Sequence, residues 1–420
     1  MDSVTGMMKR LPGMMVASLM VCSAAGAENW NQWRGEGRRD HSPDSGLLKE
    51  WPKDGPPRLW LYKDAGKGYS GPSIVDGKLF TMGARDGVCL LISLDAETGK
   101  ERWTSRIGEV YENRWGDGPR GTPTVDDGLV YAMGGKGDLV CFQADSGKRV
   151  WAVSMQDDFG GKLQGWGYTE SVLVDGDQVI ATPGGAKGSL VALDKKTGKL
   201  IWQSEGLTEE AQYSSPILVE HGGTRQYVQL FMKKLAGVSA ADGKLLWETD
   251  WGGRTAVIPT PIHEGGVVYV SSGYGTGSKA VRLGKGKSPE VVYENKVMKN
   301  HHGGVILVGK HLYGYSDGAG WVCQDFATGE AVWNEKDALG KGAIAYADGM
   351  LYCVGEDDGA VVLAAASPEG WKESGRFVLD PQTKIRSSSG RIWTHPVILN
   401  GRMYLRDQDL IYCYNVKSAR

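Results

Sequence analysis

The chain has 420 residues, with Lys+Arg 48 against Asp+Glu 50 for a net charge of −2, and it contains 62 Gly and 15 Trp but only 6 Phe. Balanced charge with no Lys/Arg stripe excludes the basic field that a nucleic-acid backbone requires. High glycine beside surplus tryptophan describes many tight turns and one recurring large anchor, and no stretch of the chain is apolar for long enough to make a transmembrane helix.

The N-terminal segment reads as an export leader. Lys9 and Arg10 precede an apolar core from Leu11 to Val21, and Ala25-Gly26-Ala27 supplies the small residues of a cleavage site before Glu28. The core is too short to span a bilayer. Leu19 lies three residues before Cys22, as in a lipidated leader, but Val21 fits the position before a lipidated cysteine poorly. Ordinary cleavage after residue 27 and a periplasmic or extracellular location are therefore expected, without a lipid anchor. Residues 28–57 form an irregular extension (NWNQWRGEGRRDHSPDSG within it), expected to wrap the folded body with Trp30 and Trp33 as anchors. Residues 58–420 read as one domain.

From Arg58 onward the chain repeats. The stretch Ser189 to Trp202, SLVALDKKTGKLIW, reads as strand, tight turn, strand: Asp194 and Thr197 bond their own turn backbone, and Gly198 supplies a positive φ. Copies recur at Leu94–Trp103, Phe142–Trp151, Ser239–Trp247 and Gln324–Trp333, roughly 40 to 50 residues apart, the period of propeller blades. Each follows a second hairpin built around Asp-Gly or Gly-Gly, as in Ser73-Ile74-Val75-Asp76-Gly77-Lys78-Leu79-Phe80, so each unit supplies four strands. The anchors Trp60, Trp103, Trp151, Trp202, Trp247, Tyr293, Trp333 and Phe377 predict an all-β, eight-bladed β-propeller of four-stranded antiparallel blades. The units around Tyr293 and Phe377 are degenerate, and six or seven blades follow if either is only a loop. The Trp60 strand lacks a blade before it, and the strands of Trp393 to Asn415 stop where a turn and a Trp strand are due; pairing the two would close the ring and remove its edges. A monomer is expected.

The start of each innermost strand faces the axial funnel, so the residues just before it are brought together. Blade by blade these are Tyr69, Arg120, Glu170, Tyr213, Arg254, His301 with His302, Lys341 and His395. Arg120 and Lys341 are candidates for holding an anion, Glu170 for binding a cation or acting as the catalytic base, and Trp166 or Trp393 for stacking on a planar ring. His301 and His302 are adjacent, and on a strand they point to opposite faces, one to the funnel and one between blades, which excludes a shared metal. Cys141, Cys323 and Cys413 occupy equivalent strand positions filled elsewhere by Ala or Ser, so they read as small buried residues. No Cys-x-x-Cys is present for haem or zinc.

The Ala/Leu-Asp-x-x-Thr-Gly-x-x-x-Trp copies resemble the tryptophan-docking motif of the PQQ-like (quinoprotein alcohol dehydrogenase-like) propellers, a superfamily that also includes propeller lipoproteins of outer-membrane protein assembly. The segments Trp115-Gly116-Asp117-Gly118-Pro119-Arg120, Gly165-Trp166-Gly167-Tyr168, Asn300-His301-His302-Gly303-Gly304 and Asp407–Tyr414 resemble secreted bacterial members of that family. The resemblance implies a propeller over the whole of the chain from Asn29. It implies either a binding or scaffold module with a protein partner or a small polar ligand at the funnel, or a PQQ-dependent dehydrogenase of alcohols or polyols. The enzyme would need PQQ and calcium held by carboxylate and amide oxygens. Glu170 can stand for one ligand, the motifs place no Asn and Asp partners for it, and the adjacent-cysteine disulfide of many such enzymes is missing.

Overall fold

The computed structural model describes residues 1–2, 28–284 and 288–419, so the leader read at residues 1–27 lies almost wholly outside the described residues. The chain forms eight separate four-stranded antiparallel sheets in consecutive order, an eight-bladed propeller. Seven blades are continuous in sequence: 73–109, 124–154, 173–203, 217–250, 262–295, 305–335 and 342–378. The eighth combines 397–415 with the strand Arg58–Tyr62, which pairs antiparallel with Leu410–Asn415 through Trp60↔Cys413 and Tyr62↔Ile411. Both degenerate units are complete, which excludes the smaller rings. Among the described residues no helix is long and apolar enough to cross a membrane.

The turn in each repeat forms for the reason its sequence gives. Asp194 Oδ1 accepts from the Thr197 backbone at 2.8 Å and from its hydroxyl at 2.7 Å. Gly198 follows at φ 71°, and a Cβ there would lie 2.7 Å from the Trp151 ring of the preceding blade. The turn of one blade is thus the seat for the indole of the blade before it. Trp151 adds a hydrogen bond from Nε1 to the Lys195 carbonyl at 3.0 Å, and Trp60 does the same at the Ala96 carbonyl across the closure. Tyr293 substitutes for the indole with its hydroxyl on the Phe326 carbonyl. Apolar clusters accordingly fill the seams between neighbouring blades. The described cysteines, among them Cys141, Cys323 and Cys413, are buried and free.

The N-terminal extension does more than wrap the ring. Trp30 pairs with Ile74 of the first blade, and the chain then runs through the channel before Tyr346 of the seventh blade bonds the Asp40 carbonyl. Arg38, in the short 3-10 turn Glu36–Arg38, bonds the carbonyls of Val172 and Pro216, and Arg34 bonds that of Val305. Those carbonyls belong to the inner edges of the third, fourth and sixth blades, so the two guanidiniums tie three blades together.

Candidate functional site

A cavity of about 210 Å³ opens on the propeller axis. In seven of the eight blades its wall follows a rule of backbone phase, the residue four positions before the first strand facing the axis; the seventh blade, where that position is Ala338, is the exception. The residues that follow the rule are Tyr69, Arg120, Thr169, Tyr213, Ile258, His301 and Trp393, and all of them line the cavity. Two positions later, Ser171, Ser215, Thr260 and His395 form a deeper tier, while Trp115, Trp166 and Tyr274 reach in from loops. The floor comes from the N-terminal extension. Trp33 and Arg34 line it, Trp33 Nε1 bonds Thr260 Oγ1 at 3.0 Å, and Arg34 is bound to Asp40 at 2.6 Å. Burial alone would raise the Asp40 carboxyl, but Arg34 and His395 hold it below its ordinary value.

Several expected site residues stand elsewhere. Glu170 is one step out of phase with the axis. Its side chain is buried between blades, where one carboxyl oxygen accepts from the Thr182 backbone N–H and the other has no partner. Arg254 is exposed on a loop, because Ile258 takes its blade's axial position. Lys341 lies behind the wall, with Nζ 2.7 Å from both His301 Nδ1 and Asp317 Oδ1. His301 and His302 both line the cavity, contrary to strict alternation, because residues 300–304 form an irregular turn rather than a strand. Trp33, Trp115, Thr169 and Tyr274 went unread as wall residues; the phase of Tyr69 and Tyr213 would have found Thr169.

The wall has one cation without a carboxylate. Arg120 donates to the carbonyls of Trp166 at 3.3 Å and Gly116 at 2.9 Å and lies 4.8 Å from the centroid of the Tyr69 ring, while its Nη1 is buried without a partner. Burial lowers its pKa, but a guanidinium stays charged. The imidazoles opposite are neutral. Burial, then His302 and Lys341, push His301 down to about 2, and burial lowers His302 against the pull of Glu356. Lys341 donates to His301 Nδ1, which assigns the ring hydrogen to Nε2. His302 Nε2 lies 2.6 Å from Glu356, which also accepts from Trp393, so His302 Nδ1 is left as a bare buried acceptor. The wall is otherwise a run of touching rings, such as Trp115 on Trp166 at 5.0 Å and Tyr69 on Trp393 at 4.9 Å.

The family model described as outer membrane protein assembly factor BamB matches residues 90–335, more than half of the chain. The chain belongs to the PQQ-like β-propeller family. Within this family it is 28% identical over 199 residues to the outer membrane protein assembly factor BamB of Burkholderia pseudomallei, covering 43% of this chain and 45% of that protein. It is also 28% identical over 144 residues to the quinohemoprotein alcohol dehydrogenase ADH IIB of Pseudomonas putida, covering 31% of this chain and 20% of that enzyme. The chain therefore spans less than half the length of these curated relatives. Solved structures share the fold: BamB from Moraxella catarrhalis at TM-score 0.60 and 15% identity, covering 84% of this chain and 95% of that one, and quinohemoprotein alcohol dehydrogenase from Comamonas testosteroni at 0.64 and 13%, covering 94% and 82%.

A calcium-held quinone does not fit the residues of this PQQ-like funnel. Calcium takes six to eight oxygens, carboxylates prominent among them. The lining side chains offer only the hydroxyls of serine, threonine and tyrosine, with no carboxylate or carboxamide. Glu170 faces away, and Glu356 is committed to His302 and Trp393. Among the described residues no cluster of three His, Cys, Asp or Glu is arranged to hold a metal ion.

Proposed function

We propose that this PQQ-like propeller is an exported binding module that takes a small polar organic ligand in the axial cavity. The observation that carries this is the axial cavity itself: a space of about 210 Å³ on the propeller axis, lined by aromatic rings, serine and threonine hydroxyls, two imidazoles and the Arg120 guanidinium. Export to the periplasm or beyond is part of the same reading. It is supported by the leader pattern before Glu28 and by relatives named as outer membrane protein assembly factors. Those names also support a protein partner on the outside of the ring, where the funnel ligand would act as a reporter or a clamp.

The rival reading, a dehydrogenase, is favoured by the identity to ADH IIB. Titration with PQQ and calcium, followed by quinone absorbance and by the melting temperature, separates the two. The binding-module reading expects no stoichiometric quinone uptake and no reduction of an artificial electron acceptor with a panel of alcohols. Saturable uptake with dye reduction would replace it by the enzyme.

A further inference from the structure

We propose that the ligand is a neutral aromatic carbonyl compound of one or two fused rings, seated among the rings of the axial cavity with its carbonyl oxygen accepting from His301 Nε2–H. This rests on the reading of the cavity as a binding site and assigns its ligand class. Charge comes first. Arg34 is paired with Asp40 and Lys341 with Asp317, and Glu356, bonded to the neutral His302 behind the wall, offsets Arg120. Arg120 also spends Nε and Nη2 on the carbonyls of Trp166 and Gly116. The charges about the cavity therefore cancel. An anion or a cation would give up its water shell here without meeting a free counter-charge, which is costly for a buried ion.

Hydrogen-bond polarity comes second. Lys341 fills His301 Nδ1 from behind the wall, so the ring hydrogen sits on Nε2. Among the described residues nothing partners that Nε2, and unlike His302 Nδ1 it is not buried, so it is the polar edge that His301 presents to the cavity. The hydroxyls of the deeper tier lean the same way. Ser171 Oγ accepts from the Thr122 N–H, Ser215 Oγ from the Ser171 N–H and Thr260 Oγ1 from Trp33, which leaves each of them its hydrogen to donate. No lining side chain is a carboxylate or a carboxamide. A wall of donors fits a ligand of acceptors, and a carbonyl oxygen only accepts. A sugar brings a hydrogen on every hydroxyl, and those buried against this wall would go without acceptors.

Shape comes third. Trp115 meets Trp166 at 44° and Tyr69 meets Trp393 at 39°, while Tyr274 stands edge-on to His301 with centroids 4.6 Å apart. None of these pairs is stacked face to face, and a flat ring among them makes the offset and edge contacts that aromatic groups prefer. An apolar cavity of about 150 Å³ holds benzene, so one of about 210 Å³ holds a substituted ring or two fused rings.

The test is isothermal titration of the purified mature chain with coumarin, indole, D-glucose, 2-naphthoate and 1-methylquinolinium. Coumarin carries the carbonyl and no donor, indole is a fused bicycle of similar size with a donor and no carbonyl, and the last two put a negative and a positive charge on the same frame. Coumarin is expected to bind saturably and to exceed indole by roughly threefold to tenfold, the worth of one hydrogen bond. His301→Phe should remove that preference and leave indole binding in place, whereas Trp166→Leu should weaken both. Melting curves check that the variants fold. If His301→Phe does not, the infrared carbonyl band of coumarin bound to the unmodified chain carries the test: a hydrogen bond lowers its frequency, and an unshifted band overturns the contact. Tighter binding of naphthoate or methylquinolinium would overturn the neutral assignment, and tighter binding of glucose the aromatic one. Equal binding of coumarin and indole, or a preference that survives His301→Phe, would overturn the carbonyl contact. In each of these cases the cavity remains a binding site, whereas binding of none of the probes overturns the assignment together with the binding-site reading beneath it.

Discussion

Glu170 shows what one step along an extended backbone does. Thr169 faces the axis and its neighbour is turned between blades, where burial raises the Glu170 carboxyl to about 7 against the opposing pull of its Thr182 hydrogen bonds and of Arg38. A carboxyl raised on folding binds more protons in the folded than in the unfolded state between about 4.5 and 7, so its stabilising contribution is present at the acid end and is lost as pH rises through that window. Glu170→Gln is therefore expected to match the wild type near pH 4.5 and to exceed it by pH 8. The gap should be on the order of 3 kcal/mol, at about 1.4 kcal/mol per pKa unit. Melting curves across that range check it; parallel profiles would show that Glu170 is ionised in the fold without penalty. Sequence alone could name Glu170 as unusual but not orient it, because its side chain direction depends on a register fixed only where the first strand begins at Leu173.

At the scale of the element, the repeated hairpin is a clasp between blades. Trp202 is buried against Tyr227 of the next blade, with ring centroids 6.1 Å apart, and a Cβ on Gly243 would approach its ring to 2.4 Å. Trp202→Ala should cost about 3–5 kcal/mol, as for other large aromatic truncations in cores. The adjacent Ile201 is exposed, and Ile201→Ser should change stability by less than about 0.5 kcal/mol. Chemical denaturation of the pair is the measurement; equal effects would show that the indole is not the pin. This clasp was legible in full, down to which residue turns and which one docks, because turn chemistry and period are local properties.

For the whole molecule, the decisive feature is the extension through the axis. Arg34 and Asp40 form a pair that is almost fully buried, and Asp40 also faces His395 Nδ1 at 3.3 Å. Removing one partner leaves an uncompensated buried charge, so Arg34→Met should cost about 3–5 kcal/mol. Combined with Asp40→Asn, the loss should fall short of the sum of the single losses, with a coupling of roughly 0.5–3 kcal/mol. Strictly additive losses in a double-mutant cycle would deny the pair its role as the floor of the cavity. The same extension explains why the channel of a ring built from eight similar blades is asymmetric: Arg38 binds the third and fourth blades and Arg34 the sixth.

The blade count, the four-stranded units and the closure by Trp60 were determined by sequence, since each rests on spacing within roughly 50 residues and on the turn residues between. Arg120, His301 and Trp393 were legible as axial candidates for the same reason. What only the tertiary structure decided is how they are used. The short lead-in to each first strand has no periodic signal to set its phase, so Thr169 rather than Glu170 and Ile258 rather than Arg254 reach the axis. The neutral imidazole pair, the burial of Arg120 and the floor of Trp33, Arg34 and Asp40 arise from groups far apart in sequence meeting inside a closed ring. Their protonation and pairing follow from burial and partners, which no local pattern encodes.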